Sequence, residues 1–383
     1  MGRAGRRNPD ERAWDHPPMP PLAVAMTLEQ SWHRVPGGTA VAALRLAEAL
    51  ATRPELAITG VAAAHRGPAP DPWSPPVPMR HVPLPRLALY EAWHRLRWPP
   101  VERWAGPIDV LHATTLAVPP RRAPLVVTIH DLAWLEYPEL FTRRGVAFFD
   151  RGLALARSDA DLVMCSSGTT RGACEEAGFE SSRLRLVPLG ARTVHATPEE
   201  TTNVRARYGL DRPYILWTGT IEPRKNLAGL LGAHARLGRD LDLVLAGPKG
   251  WNEDLDALMT KSAGRVKVLG FVPASDLASL YAGAEVFCFP SLLEGFGLPV
   301  LEAMAQGTPV VTSRGTSTEE LAEGAGILVD PRDADSIAGG IASVLDDHEL
   351  AERLAAAGRV RAAEYTWEKS AGLVASVYAE VAP

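Results

Sequence analysis

The stretch SLLEGFGLPVLEAMAQGTPVVT, Ser291 to Thr312, reads as a strand end, a glycine loop, a helix and the next strand. Gly295 and Gly297 fall in the loop, and Pro299 follows at once. Proline is favoured in the first helical turn because its missing N–H has no intrahelical partner there. The helix is therefore expected to begin near Leu298, with its free backbone N–H groups aimed outward. Such an end carries partial positive charge and accommodates an anion. A strand that passes through a glycine loop into a helix and a further strand is a βαβ unit, which implies a parallel sheet.

The same alternation extends outward in both directions. Tyr214–Thr218, Leu241–Ala246, Val266–Leu269 and Val286–Phe289 read as strands before the quoted stretch. A helix at Asn226–Leu237 separates the first two, and Pro309–Thr312 and Gly326–Leu328 continue the series. The first half repeats it. Leu22–Met26 is a strand, Gly37 and Gly38 lie in a loop, and a helix follows from Thr39 to Ala51. Ile58–Ala63, Val110–His112, Leu125–Ile129, Asp161–Cys165 and Leu186–Pro188 are further strands. At 383 residues the chain exceeds one ordinary core. The expected α/β fold is two Rossmann-like, doubly wound domains facing a cleft. The boundaries are a disordered tail at 1–19, an N-terminal domain at 20–195, a linker at 196–210 and a C-terminal domain at 211–365. A last helix, 366–383, begins near Trp367.

Composition narrows the function. Hydrophobic residues make up 46% and charged residues 22%, as in a globular protein. No apolar run approaches the roughly 20 residues of a membrane span, and no signal-peptide core follows the basic start. Three cysteines without metal-ligand spacing fit reduced thiols in the cytoplasm. A net charge of −5 argues against nucleic acid as partner. Residues 1–190 nevertheless hold 22 arginines against 19 acids, a weakly basic half that could face an anionic acceptor or a membrane surface. Within it, Leu89, Trp93 and Leu96 recur at helical spacing between Pro83 and Trp104. That segment is either a helix packed on the first sheet or an acceptor-facing lid.

Several residues carry chemistry. Glu294 sits in the loop and Glu302 one turn inside the helix, so the two carboxylates can reach different hydroxyl pairs of one elongated ligand; helix capping is the plain alternative. In LWTGTIEPRKNL, Leu216 to Leu227, a strand ends at Gly219 and Arg224 and Lys225 open the next helix. Cations are disfavoured at a helix start unless an anion is held there. A solvated basic pair is the alternative. His130 follows the strand Leu125–Ile129 and is either a structural or a site histidine. Neither G-x-G-x-x-G nor a P-loop is present, which disfavours a dinucleotide oxidoreductase or a P-loop NTPase. The aspartate pairs Asp159/Asp161, Asp240/Asp242 and Asp333/Asp335 lie outside these motifs.

Taken together, GTIEPRKNL from Gly219, LAGP from Leu245, GFVP from Gly270, the Glu294-to-Glu302 segment and HDLAW from His130 resemble the retaining family 4 glycosyltransferases of GT-B fold. The resemblance spans residues 20–381 and is strongest from 214 to 330. It implies that Arg224 and Lys225 hold the donor diphosphate and that Glu294 binds the transferred sugar. Backbone groups of Phe296, Gly297 and Leu298 would lie near sugar and phosphate, Glu302 at the ribose and Val272 beside the base. Gly37 and Gly38 would approach the phosphate and His130 the donor sugar, while the last helix would cross back to the N-terminal domain. Retention is likewise implied. A metal-independent hexosyltransferase is expected, because the basic pair and the helix start can stabilise the leaving charge. No cofactor is expected beyond the nucleotide-diphosphate sugar. GDP-mannose is the favoured donor and a UDP-hexose the next. The acceptor (glycan, lipid-linked or small molecule), the oligomeric state and peripheral membrane contact stay open. An epimerase or hydrolase of the same fold and a non-catalytic binding module are the alternatives.

Overall fold

The computed structural model describes residues 20–191, 194–250, 253, 255–261 and 265–383. The expected tail lies outside them. The first sheet contains β1 (Leu22–Thr27), β2 (Leu56–Ala62), β3 (Met79–His81), β4 (Val110–Ala113), β5 (Leu125–Ile129), β6 (Leu162–Cys165) and β7 (Leu184–Leu186). Their order is β3-β2-β1-β4-β5-β6-β7. The second holds β8 (Tyr214–Thr218), β9 (Asp242–Ala246), β10 (Val266–Gly270), β11 (Val286–Phe289), β12 (Val310–Ser313) and β13 (Ile327–Val329), ordered β10-β9-β8-β11-β12-β13. The paired strands run parallel. Sheets of this kind are covered on both faces, so β6, β8 and β11 are buried along their whole length.

The strand order reverses between β1 and β4 and again between β8 and β11. Ligands bind such sheets outside the strand C-termini at these reversals. Gly37 follows β1, Gly219 follows β8 and Glu294 follows β11, so these three fall at the reversals, while His130 follows β5, the neighbour of β4. The terminal helix, Trp367–Val381, packs on the first helix, Gly37–Ala51, and buries Ala371, Val374 and Tyr378 against the first sheet. The chain crosses between the halves at Gly190, where a Cβ would sit 2.3 Å from the Trp367 nitrogen.

Several details differ from the sequence reading, among them the start of β2, at Leu56 rather than Ile58. Strand β7 is Leu184–Leu186, two residues earlier than expected, since buried Leu184 starts the pairing and Pro188 lacks an N–H to extend it. Edge strand β3 had no apolar run to announce it and is held by pairing with β2. The segment Pro83–Trp104 is three short helical pieces, Arg86–Glu91, Ala92–Leu96 and Glu102–Ala105. Leu89 and Trp93 are core residues, whereas Leu96 is 73% exposed. Arg97, at φ 48°, turns the chain there and donates to the carbonyls of Trp93, Val118 and Pro119. Finally, the first helix starts at Gly37, two residues before Thr39. No described helix is long and apolar enough to cross a membrane.

His112 on β4 docks the terminal helix. Its Nδ1 lies 2.7 Å from the Tyr378 hydroxyl and its Nε2 2.8 Å from that of Thr128. Burial, aided by the nearby His130, pushes this imidazole from 6.5 down to about 3. Burial likewise lowers His33 and His94 to about 4. Below 6.5 the unfolded chain takes up protons that the folded chain refuses, so stability is complete above that value and is lost as the pH falls. Each such group can contribute up to roughly 1.4 kcal/mol per pH unit in this window. The melting temperature should therefore fall steadily from about pH 7 to about pH 4.5, and less steeply in His112→Gln. Equal slopes for the two proteins would remove His112 as a source of the acid sensitivity.

Candidate functional site

Arg224 and Lys225 do not open the helix Leu227–Leu237, as the sequence suggested. They occupy a one-turn 3-10 segment, Pro223–Lys225, ahead of it. Asn226, at φ 56°, then caps the helix by accepting from the Gly229 N–H at 3.2 Å. Asn226 also donates to the Pro290 carbonyl at 3.0 Å, and the Leu292 N–H donates to the Arg224 carbonyl at 2.8 Å. These bonds join the loop after β8 to the loop after β11.

The basic pair is balanced within the protein. Lys225 Nζ lies 2.6 Å from Glu294 Oε1, and Arg224 Nη1 lies 3.2 Å from Glu294 Oε2. Arg224 Nη2 is 2.9 Å from the buried Glu222. Lys225 Nζ also stands 4.8 Å from the Phe289 ring centre. Burial opposes ionisation of Glu294, but Lys225 and Arg224 outweigh it and hold its carboxyl below the usual range. Glu222 is pushed upward by burial despite the same two cations. Burial also lowers Lys225, with Glu294 pulling it back. An anion is therefore not the only partner that explains the paired cations. Glu222 was not singled out from sequence, although it stands two residues before Arg224.

The loop after β11 ends at Gly297, φ 109°, and the helix Leu298–Gln306 begins where expected, with Pro299 in its first turn. Gly295 touches the other half of the molecule. Its carbonyl accepts from the hydroxyls of Ser166 at 3.0 Å, Ser167 at 2.8 Å and Thr170 at 3.1 Å. A Cβ at Gly295 would lie 1.8 Å from the His130 carbonyl oxygen. Nearby, Glu320 accepts from the N–H groups of Gly168 and Thr169 at 2.9 and 2.6 Å, capping the helix Gly168–Glu176 from across the cleft. None of these hydroxyl and carboxylate partners was picked out from the sequence; the run SSGTT, Ser166 to Thr170, is the local signal that could have marked the helix cap.

His130 Nε2 lies 3.1 Å from the Thr114 carbonyl. A carbonyl only accepts, so Nε2 carries the proton and Nδ1 presents its lone pair. Burial lowers the His130 pKa and favours this neutral form.

Gly37, Gly38, His130, Gly219, Arg224, Lys225, Glu294, Phe296, Gly297 and Leu298 line one cavity of about 640 Å³. Glu302 and Val272 do not. They line a second cavity of about 320 Å³, with Phe271 and Tyr281. There Glu302 Oε2 accepts from the Tyr281 hydroxyl at 3.0 Å. The helices Gly37–Ala51 and Leu298–Gln306 contribute to both cavities, so a ligand lying between them could reach both. Asp159, Asp161, Asp240 and Asp335 are each ion-paired with an arginine and line neither cavity. Among the described residues no cluster of three or more His, Cys, Asp or Glu is placed to hold a metal.

Residues 36–194 match the family model "Glycosyltransferase Family 4", and residues 200–361 match "Glycosyl transferases group 1". The chain is 33% identical over 304 residues to O-antigen chain mannosyltransferase B of Escherichia coli, covering 76% of this chain and 78% of that protein. It is 32% identical over 301 residues to MMP alpha-(1->4)-mannosyltransferase of Mycolicibacterium hassiacum, covering 71% of each. Among solved structures, Anabaena HepE in complex with UDP and glucose superposes with a TM-score of 0.75 at 20% identity, covering 94% of this chain and 100% of that one. Sucrose-phosphate synthase from Thermosynechococcus elongatus superposes at 0.76 with 22% identity, covering 94% and 98%.

Gly295→Ala is expected to destabilise the protein by roughly 1–3 kcal/mol, because two backbones meet where the new methyl would go. Gly38→Ala, with nothing within 4 Å of its added Cβ, should stay within about 0.5 kcal/mol. Urea melts of both variants check this, and equal midpoints would contradict the crowded contact.

Proposed function

Given that the chain belongs to glycosyltransferase family 4 and has the GT-B fold, we propose that it moves a hexose, by preference mannose from GDP-mannose, with retention and without a metal ion. A UDP-hexose is the second donor in order. The observation that carries this reading is the contact of Lys225 and Arg224 with Glu294, at 2.6 and 3.2 Å, beside the start of the helix Leu298–Gln306. It places two cations and a helix N-terminus together, where a diphosphate would gain from both. The mannose preference draws on the relatives named mannosyltransferases.

In the proposed reaction the bond between the anomeric carbon and the β-phosphate oxygen breaks, and the acceptor oxygen bonds to that carbon on the same face. The acceptor proton passes to the departing phosphate oxygen. Charge that grows on the diphosphate is met by Arg224, Lys225 and the backbone N–H groups near Leu298, which are already oriented. Both oxygens of Glu294 engage the basic pair, which suits a role in accepting sugar hydroxyls rather than attacking carbon. Neutral His130 offers Nδ1 to a further hydroxyl. Glu302 and Val272, in the second cavity, are assigned the ribose and base.

A thermal-shift screen across GDP-, UDP-, ADP- and dTDP-sugars should show the largest stabilisation with GDP-mannose. Glu294→Gln and Arg224→Ala should each lower kcat by about 10²- to 10³-fold in protein that still melts cooperatively, although loss of the buried ion contact lowers the melting temperature. Excess EDTA should leave the rate unchanged. Full turnover in Glu294→Gln would withdraw the sugar-binding assignment, and a rate abolished by EDTA and restored by a divalent cation would withdraw metal independence.

A further inference from the structure

The N-terminal half of the large cavity differs in character from the half that holds the basic pair. Tyr90, Trp134, Phe141, Phe148 and Phe149 line it, with His33 beside them. The rings form one connected wall. Tyr90 and Phe148 have centroids 5.5 Å apart, Phe148 and Phe149 5.7 Å, and Trp134 and Phe149 4.9 Å. Phe148 is backed by His94, stacked at 4.5 Å, and Trp134 is fixed by a 3.0 Å bond from its indole N–H to Asp150. The wall is therefore preset.

Apart from Asp131, the polar side chains on this half of the lining are uncharged. His33 Nε2 is buried without a hydrogen-bond partner among the described residues, and Tyr90 also lines the cavity. Burial holds His33 neutral at ordinary pH. Among the described residues the only Lys and Arg lining the cavity are Arg224 and Lys225, and both already face Glu222 or Glu294. Asp131 adds a third acid. Arg86 lies close enough for its charge to act on His33 and Tyr90, and Arg143 and Arg144 adjoin the lining residues Thr142 and Gly145, but none of the three arginines lines the cavity.

We propose that this aromatic wall receives the acceptor as an uncharged pyranose laid flat on the rings, and that it discriminates against sugar phosphates. The inference rests on the glycosyltransferase reading of the same cavity and names the acceptor class for it. A pyranose presents a face of C–H groups to the negative faces of aromatic rings, and Tyr90 and His33 offer bonds to its rim hydroxyls. A phosphate there would lose water and meet no further cation in the cavity lining once a donor diphosphate occupies Arg224 and Lys225.

The test uses the full chain loaded with whichever of GDP or UDP raises its melting temperature. Saturation-transfer NMR then measures methyl α-D-mannopyranoside and methyl α-D-glucopyranoside against mannose 6-phosphate and glucose 6-phosphate. At least one neutral glycoside should bind about tenfold or more tightly than its phosphorylated counterpart. Phe148→Ala should weaken it by a similar factor while preserving the nucleotide-induced thermal shift, and Tyr90→Phe supplies the same readout should Phe148→Ala not fold. Sugar phosphates that bind equally well, no binding by either neutral glycoside, or undiminished binding in the foldable variant would each overturn the proposal. The absence of any nucleotide shift is a different failure, which removes the donor reading beneath it.

Discussion

The buried contact of Glu294 with Lys225 and Arg224 is the constraint on which the cavity depends. Removing a carboxylate and two cations from water costs several kcal/mol per ion, and their mutual attraction only partly offsets it. Apolar residues could fill the same space at lower cost. Here the side chains of Glu294 and Lys225 are 7% and 10% exposed, whereas that of Arg224, which lines the cavity, is 18% exposed. The charges thus stay close enough to order one another and open enough to exchange partners with a ligand.

That contact also ties the molecule together. Glu294 stands on the loop after β11 and its partners on the loop after β8, the two strands between which the second sheet reverses. The next residue, Gly295, presents its carbonyl to three hydroxyls from the other half of the chain. Glu320 reaches across to cap the helix Gly168–Glu176 beside it. Because Gly295 also passes against the His130 backbone, any movement of the N-terminal half bears directly on the loop that carries Glu294. The geometry of one carboxylate is set by both sheets.

Much of the fold was legible where the signal is local. Strands β5, β8 and β11 and the terminal helix match the elements read from sequence, since each is an unbroken apolar or amphipathic run with a clear stop. Thr366, accepting from the Lys369 N–H, marks the start of that helix in the ordinary way. Legibility failed where a tertiary partner overrides the local pattern. Strand β3 exists only because β2 offers it an edge. The helical repeat at Leu89, Trp93 and Leu96 breaks because carbonyls from residues 93, 118 and 119 converge on Arg97.

The order of apolar runs, the glycines before Pro299, and the adjacency of Arg224 and Lys225 sufficed to place two parallel sheets and an anion-suited helix start at their mouths. Those features act over a few residues, where backbone sterics and hydrogen bonding decide. Tertiary structure alone decided that Glu294 and Glu222 neutralise the basic pair, that Glu302 belongs to a separate cavity, and that rings between Tyr90 and Phe149 form one wall. Each of these joins segments distant in the chain. Burial and charge pairing at such distances depend on how the sheets pack, and no local pattern encodes that.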